Sequence, residues 1–248
     1  MSKISVIIPA WVVNDELYDL TGKTLQSLHN SIGWNDCELI IVDNASTIGS
    51  DQLLPNCDIY IRNKVNLGYP KAVNQGLKLA KGDLVAVVNN DIRISPNWIK
   101  TTQEVFSRLK NAGSLHFKMV EYDAPFNLGD AVWDKGKELW SHGSFFVWRK
   151  EASKDLIWPI DENYGLGGYD DYDWQLRMRN RGWTTVYTNS AAFQHKDSSS
   201  QNKLDQTKRK ERDDKNREYF KKTHGEYPDI LWKKLYPEQF LRPWKPFP

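Results

Sequence analysis

Four short apolar runs in the first ninety residues each stop at a small or polar residue. The runs and the residues that follow them are Ile4–Ile8 before Pro9 and Ala10, Glu38–Val42 before Asp43 and Asn44, Ile59–Ile61 before Asn63 and Asn66, and Leu84–Val88 before Asn89, Asn90 and Asp91. Between the runs, apolar residues recur at helical spacing in Thr21–Asn30 and Tyr69–Lys81. This alternation predicts an α/β fold, a single Rossmann-like domain with a mostly parallel central sheet and helices on both faces.

The residues that follow the strands predict a binding site. The carboxyl ends of parallel strands share one edge of a sheet, where ligands bind, so Asp43, Asn66 and Asp91 are expected at one mouth. An unpaired charge directly after a buried strand would be costly in the core, whereas a carboxylate at this mouth suits a hard metal ion and a phosphorylated ligand. Asn and Asp are also common in turns, so the tripeptide Asn89–Asp91 by itself leaves a plain turn open.

A second candidate site is the acidic cluster Asp170, Asp171 and Asp173, which follows the glycine-rich stretch Gly165–Gly168. One Asp would be enough to stabilise the start of a helix. Three carboxylates within four positions repel each other, which raises the pKa of at least one of them if they are partly buried. The cluster therefore predicts a general base, and the glycines allow a ligand to approach closely.

The second half of the chain has a weaker pattern. Gly113–Gly143 predicts a long loop region or a small antiparallel insert. The other expected elements are helices at Trp98–Leu109, Asp170–Arg181 and Lys203–Lys222, a strand at Ser144–Trp148, and short extended segments at Thr184–Tyr187 and Ala191–Phe193. His195 follows the last of these segments and could complete a metal site with Asp91, although an isolated histidine is more often structural. The charged helix near the end is better explained as a solvated face than as a phosphate clamp.

Composition limits the class of protein. A chain of 248 residues is long enough for one large α/β domain or two small ones, and its net charge of +2 gives no argument for steering a charged partner. Cys37 and Cys57 match no metal or disulfide spacing, no apolar run approaches about 18 residues, and Met1 is followed almost at once by a strand. A cytoplasmic protein, or one peripheral to a membrane without a transmembrane segment, is therefore expected. The chain has no dinucleotide-binding fingerprint, no P-loop and no nucleophile elbow.

Taken in order, the motifs of the first half resemble those of the family 2 glycosyltransferases, which have the GT-A fold. They are Ile4–Pro9, Glu38–Ser46, Asn66–Gly68 with Asn74–Gly76, and Val88–Asp91. The second half resembles the rhamnosyltransferase-like branch of that family, in Gly143–Arg149, Pro159–Glu162, Asp170–Gly182, Ala191–His195 and Lys215–Lys222. The resemblance covers about residues 3–225.

The resemblance implies an inverting, metal-dependent transfer of a hexosyl or deoxyhexosyl group. The donor would be a UDP-, dTDP- or GDP-sugar, the cofactor Mn²⁺ or Mg²⁺, and the acceptor a saccharide or a lipid-linked sugar. Asp91 matches the last residue of the family's D-x-D motif, which binds the metal ion, and Asn89 replaces the first. His195 matches a position that helps to hold the metal or the diphosphate. The other implied donor-binding residues are Pro9, Ala10, Trp11, Asp43, Asn66, Gly68, Lys71, Asn89 and Asn90.

For catalysis, the resemblance implies that Asp170 and Asp171 match an acidic pair whose second member is the base. Asp171 is therefore the expected base, and Asp173 is expected to orient an acceptor hydroxyl or an arginine. Residues 1–200 would form the catalytic domain, with a nucleotide-sugar-binding half over 1–100 and an acceptor half over 101–200. Residues 201–248 would form a helical and aromatic extension that packs back on it through Trp232, Tyr236, Phe240 and Trp244.

Two alternatives stay open. The loss of the first D-x-D carboxylate at Asn89 is compatible with a non-catalytic module that binds a nucleotide sugar or a glycan, although the acidic cluster argues for turnover. The basic and aromatic stretch Lys203–Lys234 is compatible with a nucleic-acid partner or acceptor. Acidic residues alternate with the basic ones in this stretch, which disfavours nucleic acid.

Overall fold

The computed structural model describes residues 3–130, 132–134, 143–154, 156, 159–196, 206–228 and 230–231, with backbone only for 132–134. The strands are β1 (Ile4–Ala10), β2 (Cys37–Asp43), β3 (Ile59–Arg62), β4 (Leu84–Val88), β5 (Ile92–Ile94), β6 (Ala112–Val120), β7 (Val132–Asp134), β8 (Phe145–Arg149) and β9 (Thr184–His195). The helices are α1 (Asp15–His29), α2 (Tyr69–Leu79), α3 (Trp98–Arg108), α4 (Asp170–Arg179) and α5 (Gln206–His224).

All nine strands belong to one sheet with the order β3-β2-β1-β4-β8-β6-β9-β5, and β7 pairs with β9. The four strands predicted from the first half are confirmed, and their pairings are all parallel. In the second half β8 and β9 run antiparallel to their neighbours, except that β6 and β9 are parallel to each other. The sheet is therefore mixed as a whole, and its parallel part is the region that carries the predicted ligand-binding edge.

Helices cover both faces of the sheet, as predicted. Alternate residues of β1 point to opposite sides, so Val6 and Ile8 join the core beneath α1 and α3. Ile7 points the other way and joins Val73 of α2 and Trp174 of α4. Burial on both faces explains why the first strands are continuous apolar runs rather than alternating ones.

Helix α1 begins six residues earlier than the apolar spacing indicated, at Asp15 instead of Thr21. The reason is a side-chain cap, because Asn14 Oδ1 accepts a hydrogen bond of 2.9 Å from Leu17 N. The expected extended segments Thr184–Tyr187 and Ala191–Phe193 are parts of the single strand β9, which continues through the polar residues between them.

The largest difference lies in Gly113–Gly143, where the sequence predicted a loop or a small insert. Nine residues around its start form β6, a strand in the middle of the sheet. The apolar pattern is hidden because polar residues occupy core positions: Ser114 and His116 are buried, and Ser114 Oγ lies 3.2 Å from His116 Nε2. The short β7, antiparallel to β9, agrees with the insert alternative.

The charged helix expected at Lys203–Lys222 is α5, observed at Gln206–His224, and it packs against the segment around Tyr164 and against α4. Phe220 is fully buried in a cluster with Tyr164 and Leu176. Trp232, Tyr236, Phe240 and Trp244, expected to cover apolar surface, lie outside the described residues. Within the described part of the chain, no helix has both the length and the apolar character needed to cross a bilayer.

Candidate active site

The ends of the parallel strands meet at one edge of the sheet, as predicted. Ala10 and Asp43 are register partners at the ends of β1 and β2, and Asp43 pairs with Arg62 at the end of β3. Backbone hydrogen bonds also join the residues that follow these strand ends. Asn44 N donates to Ala10 O at 2.7 Å, and Asn63 N donates to Asp43 O at 2.8 Å. Pro9 and Trp11, two of the expected donor-binding residues, are half-buried at this edge.

Asp43 is fully buried and holds the neighbouring strand β3. Its Oδ1 accepts from Ser46 N at 2.7 Å, and its Oδ2 accepts from Tyr60 OH at 2.7 Å and pairs with Arg62 Nη1 at 3.2 Å. Burial, together with the hydrogen bond to Asp43, raises the pKa of Tyr60 to about 12. Asp43 therefore fixes a neutral phenol and a cation at the expected nucleoside edge, where Arg62 is about half exposed.

The segment Asn66–Gly68 forms the entrance to α2. Asn66 Oδ1 accepts from Gly68 N at 2.9 Å, and Asn44 Nδ2 donates to Gly68 O at 3.1 Å. The expected donor-binding residue Lys71 lies exposed in the first turn of α2. Gly68 has φ +89°, and a Cβ atom built there would lie 2.0 Å from Gly165 O. Gly68 thus allows the loop before the acidic cluster to touch the loop before α2.

This close approach gives a testable prediction. Gly68→Ala is expected to lower the free energy of unfolding by more than the roughly 1–3 kcal/mol typical of a strained φ alone, because the new methyl group collides with backbone atoms. Gly182→Ala is the matched control, since Gly182 has φ +86° with no atom within 4 Å of the added Cβ. Urea denaturation gives the loss of unfolding free energy for both variants, and the difference between the two losses is the cost of the collision. Equal losses of stability would show that the two loops separate without cost.

Asp91 and His195 come together, as the sequence suggested. Asp91 Oδ1 lies 3.2 Å from His195 Nε2, and both side chains are at most 9% exposed. Among the described residues Asp91 Oδ1 nevertheless accepts no well-aligned hydrogen bond. Ser144 Oγ lies 3.3 Å from His195 Nδ1 and can accept a hydrogen bond from it, which would place the proton on Nδ1 and the ligand lone pair on Nε2. A buried carboxylate oxygen without a hydrogen bond, next to an imidazole nitrogen, fits a divalent cation.

The other two residues of the tripeptide have different placements. Asn89 is half-buried, and its backbone N donates to Ser144 O at 2.8 Å. Asn90 differs from the expectation that it binds the donor: it is buried, and its Nδ2 donates to Thr21 Oγ1 of α1 at 2.9 Å. A buried amide must be hydrogen-bonded, so Asn90 fastens the end of β4 to α1.

Asp170 and Asp171 are the first two residues of α4, and the pKa values of both are raised. Burial raises the pKa of Asp170 to about 6, against the hydrogen bond of 2.6 Å that its Oδ1 accepts from Gly168 N. Burial and the charge of Asp170 raise the pKa of Asp171 to about 7, although its carboxylate also accepts from the backbone amides of Tyr172 and Gly143. The sequence prediction of a raised pKa in this cluster is thereby explained, and Asp171 has the pKa of an effective general base near neutral pH.

The carboxylate of Asp173 is engaged in two buried contacts with basic side chains. It is fully buried, with Oδ2 at 2.6 Å from Arg177 Nη2 and Oδ1 at 2.8 Å from His224 Nε2. The expectation that it orients an arginine agrees with this contact. The acceptor-hydroxyl alternative and a catalytic role are disfavoured, because one carboxylate oxygen binds Arg177 within α4 and the other contacts His224 at the end of α5.

Gly143 and Ser144 connect the two acidic sites, and sequence reasoning had not singled them out as site residues. Ser144 contacts Asn89 and His195, whereas the Gly143 amide donates to Asp171. Gly143 O accepts from Tyr69 OH at 2.8 Å. The available signal was a Gly-Ser pair directly before the apolar run that forms β8. The Asp91–His195 pair and Asp171 therefore lie on either side of one backbone corner.

The raised pKa of Asp171 predicts the pH dependence of any reaction in which it acts as base. The value of kcat/KM is expected to increase about tenfold per pH unit below pH 7 and to level off above it, because only the deprotonated carboxylate can accept a proton. Steady-state kinetics between pH 5 and pH 9 measure this limb. The residual activity of Asp171→Asn should lack it; a limb that persists in this variant would assign the titration to another group.

Comparisons with known proteins identify the family and the fold. Residues 5–156 match the family model described as Glycosyl transferase family 2. Glycosyltransferase GlyG of Streptococcus pneumoniae serotype 4 is 28% identical over 107 residues, which cover 40% of this chain and 33% of GlyG. This chain therefore aligns with about a third of that relative.

Solved structures share the fold. TarS 1-349 from S. aureus superposes with a TM-score of 0.63 at 18% identity, covering 78% of this chain and 60% of TarS 1-349. The mannosyltransferase PcManGT from Pyrobaculum calidifontis, in complex with GDP-Man and Mn²⁺, gives a TM-score of 0.61 at 15% identity, covering 78% of this chain and 56% of that one. The α/β fold of GT-A glycosyltransferases predicted from the sequence is confirmed. Because the family match spans more than half of the chain, this protein belongs to glycosyl transferase family 2.

Proposed function

We propose that this protein transfers a sugar from a nucleotide-diphosphate donor to an acceptor hydroxyl in a single displacement that inverts the anomeric centre. The observation that carries the proposal is the arrangement around Gly143 and Ser144, with Asp91 and His195 on one side and Asp171 on the other. An anion-binding centre and a base near neutral pKa are the two groups that such a reaction needs. Membership in family 2 supports the same reaction class.

Asp91 and His195 would hold Mn²⁺ or Mg²⁺. No third His, Cys, Asp or Glu joins them among the described residues, which suits an ion that is bound by few protein ligands and by substrate phosphates. When bound, the ion supplies positive charge that stabilises the leaving diphosphate. Asn89 contributes no charge here, and its backbone contact with Ser144 instead fixes the corner next to His195.

Asp171 would act as the base on the acceptor side. As the acceptor oxygen forms its bond to the anomeric carbon and the bond to the diphosphate breaks, the hydroxyl proton passes to the Asp171 carboxylate. The charge of Asp170 makes this carboxylate more basic, and the amides of Gly143 and Tyr172 keep it oriented. Attack from the side opposite the leaving group inverts the configuration.

For the donor, we propose a UDP-, dTDP- or GDP-sugar held at the edge formed by Trp11, Asp43 and Arg62. Arg62 is about half exposed and is fixed by Asp43, so it can contact an anionic or carbonyl-rich nucleotide. The saccharide or lipid-linked acceptor expected from the sequence and the rhamnosyltransferase-like branch remain part of this proposal. GDP-Man in PcManGT and UDP in a TarS complex show which donor classes proteins of this fold bind.

A thermal-shift panel of UDP-, dTDP- and GDP-sugars with and without Mn²⁺ tests the proposal. One nucleotide at about 100 times its Kd should add about 2.7 kcal/mol of apparent stability, and only with the metal present. Release of the nucleoside diphosphate, by transfer or slow hydrolysis, should then follow with that donor. Binding without any release would favour the non-catalytic module that Asn89 leaves open, and the absence of both would contradict the proposal.

A further inference from the structure

The loop that delivers the carboxylate pair has an uncommon backbone. We call residues Gly165–Gly168 the glycine loop. Gly165, Gly167, Gly168 and the following Tyr169 all have positive φ, at 60°, 107°, 101° and 67°. Glycine adopts such angles readily but contributes no side chain that could fix them. The position of Asp170 and Asp171 therefore depends on contacts that other elements make with this loop.

Helix α5 supplies one of these contacts through Asn216. The side chain is only 3% exposed, and its Nδ2 donates to Tyr164 O at 3.0 Å, Gly167 O at 3.0 Å and Gly168 O at 3.1 Å. Two N–H bonds are thus shared by three carbonyl oxygens. Asn is a weak helix former, so its place in the middle of α5 is better explained by this contact than by helix stability.

Gly168 connects Asn216 to the carboxylate pair. Gly168 is held on both sides, because its carbonyl accepts from Asn216 and its N–H donates to Asp170 Oδ1. On the opposite side the loop touches Gly68, where there is no room for a Cβ next to Gly165 O. The glycine loop is therefore clamped between the entrance of α2 and the buried face of α5.

We propose that Asn216 is a positioning residue that fixes the Asp170–Asp171 pair through the glycine loop. This inference rests on the proposed function, since it assigns the pair a role in catalysis. Without Asn216, the carbonyls of Tyr164, Gly167 and Gly168 lose a buried donor. The loop then shifts or admits water, and Asp171 no longer has a fixed position relative to the acceptor hydroxyl.

The pH dependence of activity gives a readout that a purely structural residue would not change. Among the described residues, the titratable and charged groups that face the pair are Tyr69 of α2, Tyr164 directly before the glycine loop, Asp173 of α4 and Arg212 of α5. Burial is the main cause of the raised pKa of Asp171. If the loop opens to water, the pKa of Asp171 moves back toward that of an ordinary Asp, and the midpoint of the kcat/KM limb moves to lower pH.

The experiment compares Asn216→Ala and Asn216→Asp with Val105→Ala. Val105 is a buried residue of α3 on the other face of the sheet, so its variant loses stability without touching the loop. At a temperature where all variants are folded, both Asn216 variants should lose about 10- to 100-fold in kcat, since small misplacements of reacting groups have effects of this size. Their KM for the donor should stay close to that of the wild type, and the pH midpoint of Asn216→Ala should be lower, because it opens the loop to water without adding a charge. Val105→Ala should match the wild type in all three.

Amide hydrogen exchange of residues 164–171 provides a readout that needs no activity. Exchange in this segment should be faster in both Asn216 variants and unchanged in Val105→Ala. Normal kcat, normal midpoint and normal exchange in the Asn216 variants would overturn the inference while the wild type still transfers sugar. A wild-type protein that neither binds nor consumes any donor would overturn the proposed function instead, and faster exchange would still support the clamp.

Discussion

Asp171→Asn is expected to reduce turnover by at least about 10²-fold while donor affinity stays nearly unchanged. A positioned general base contributes about 10²–10⁴ to rate, and the amide that replaces the carboxylate cannot accept the acceptor's proton. The variant keeps the shape of the side chain and an oxygen that can accept from Tyr172 N. Steady-state kinetics give turnover, and calorimetry with Mn²⁺ and the donor gives affinity separately.

The neighbouring carboxylates serve as controls for this experiment. Asp170→Asn keeps an acceptor for Gly168 N but removes the charge that raises the pKa of Asp171, so its loss of turnover should be milder. Asp173→Asn weakens the buried contacts with Arg177 and His224, so it should lose mainly stability. Near-normal turnover in Asp171→Asn together with a large loss in Asp173→Asn would refute the assignment of the base.

Asp91→Ala is expected to abolish the metal dependence of donor binding and to weaken donor affinity in Mn²⁺ by about 100-fold or more. Mutating a residue that only hydrogen-bonds to a metal ligand already changes metal affinity by about 10–100-fold. Asp91 would itself be a ligand, and the only carboxylate in the Asp91–His195 pair. Its Oδ1 is buried without a well-aligned hydrogen bond among the described residues, so removing it should cost little stability. Calorimetric titration of the donor, with and without Mn²⁺, measures the effect.

Asp91→Asn is the matched variant for this second experiment. It preserves volume and removes only the charge, so it should show the same loss of metal dependence as the alanine variant. Lys71→Ala, an exposed substitution on α2 next to the donor edge, controls for general weakening by lost positive charge and should keep its metal dependence. Unchanged donor affinity of Asp91→Ala in Mn²⁺ would remove Asp91 from the metal site.

The part of the site that the sequence predicted is the part defined locally. Strand ends such as Asp43 and Asp91 are marked by an apolar run and the polar residue after it, and parallel pairing then brings them to one edge. Asn216 could not be assigned in this way. It meets the glycine loop across about fifty residues of sequence, and a polar residue in a charged helix looks solvated until the helix is packed.

The strand β6 was missed for a related reason. Its buried Ser114 and His116 are hydrogen-bonded to each other, so the chain tolerates polar residues in the core and loses the pattern that identifies a strand. The contact that Asn90 makes with α1 could not be predicted either, because an amide after a strand has the same appearance whether it faces a ligand or a helix. In each case a tertiary partner decides the role of the residue.

The clamp on the glycine loop also sets an order of events during protein synthesis. The acidic pair is synthesised before α5, and roughly fifty residues must follow before Asn216 and His224 can reach the loop and Asp173. At about 5–20 residues per second this is a delay of several seconds. During that time the parallel part of the sheet can fold while Asp170 and Asp171 are not yet held by α5. On the proposed function, a nascent chain could thus bind a donor before it is able to react with it.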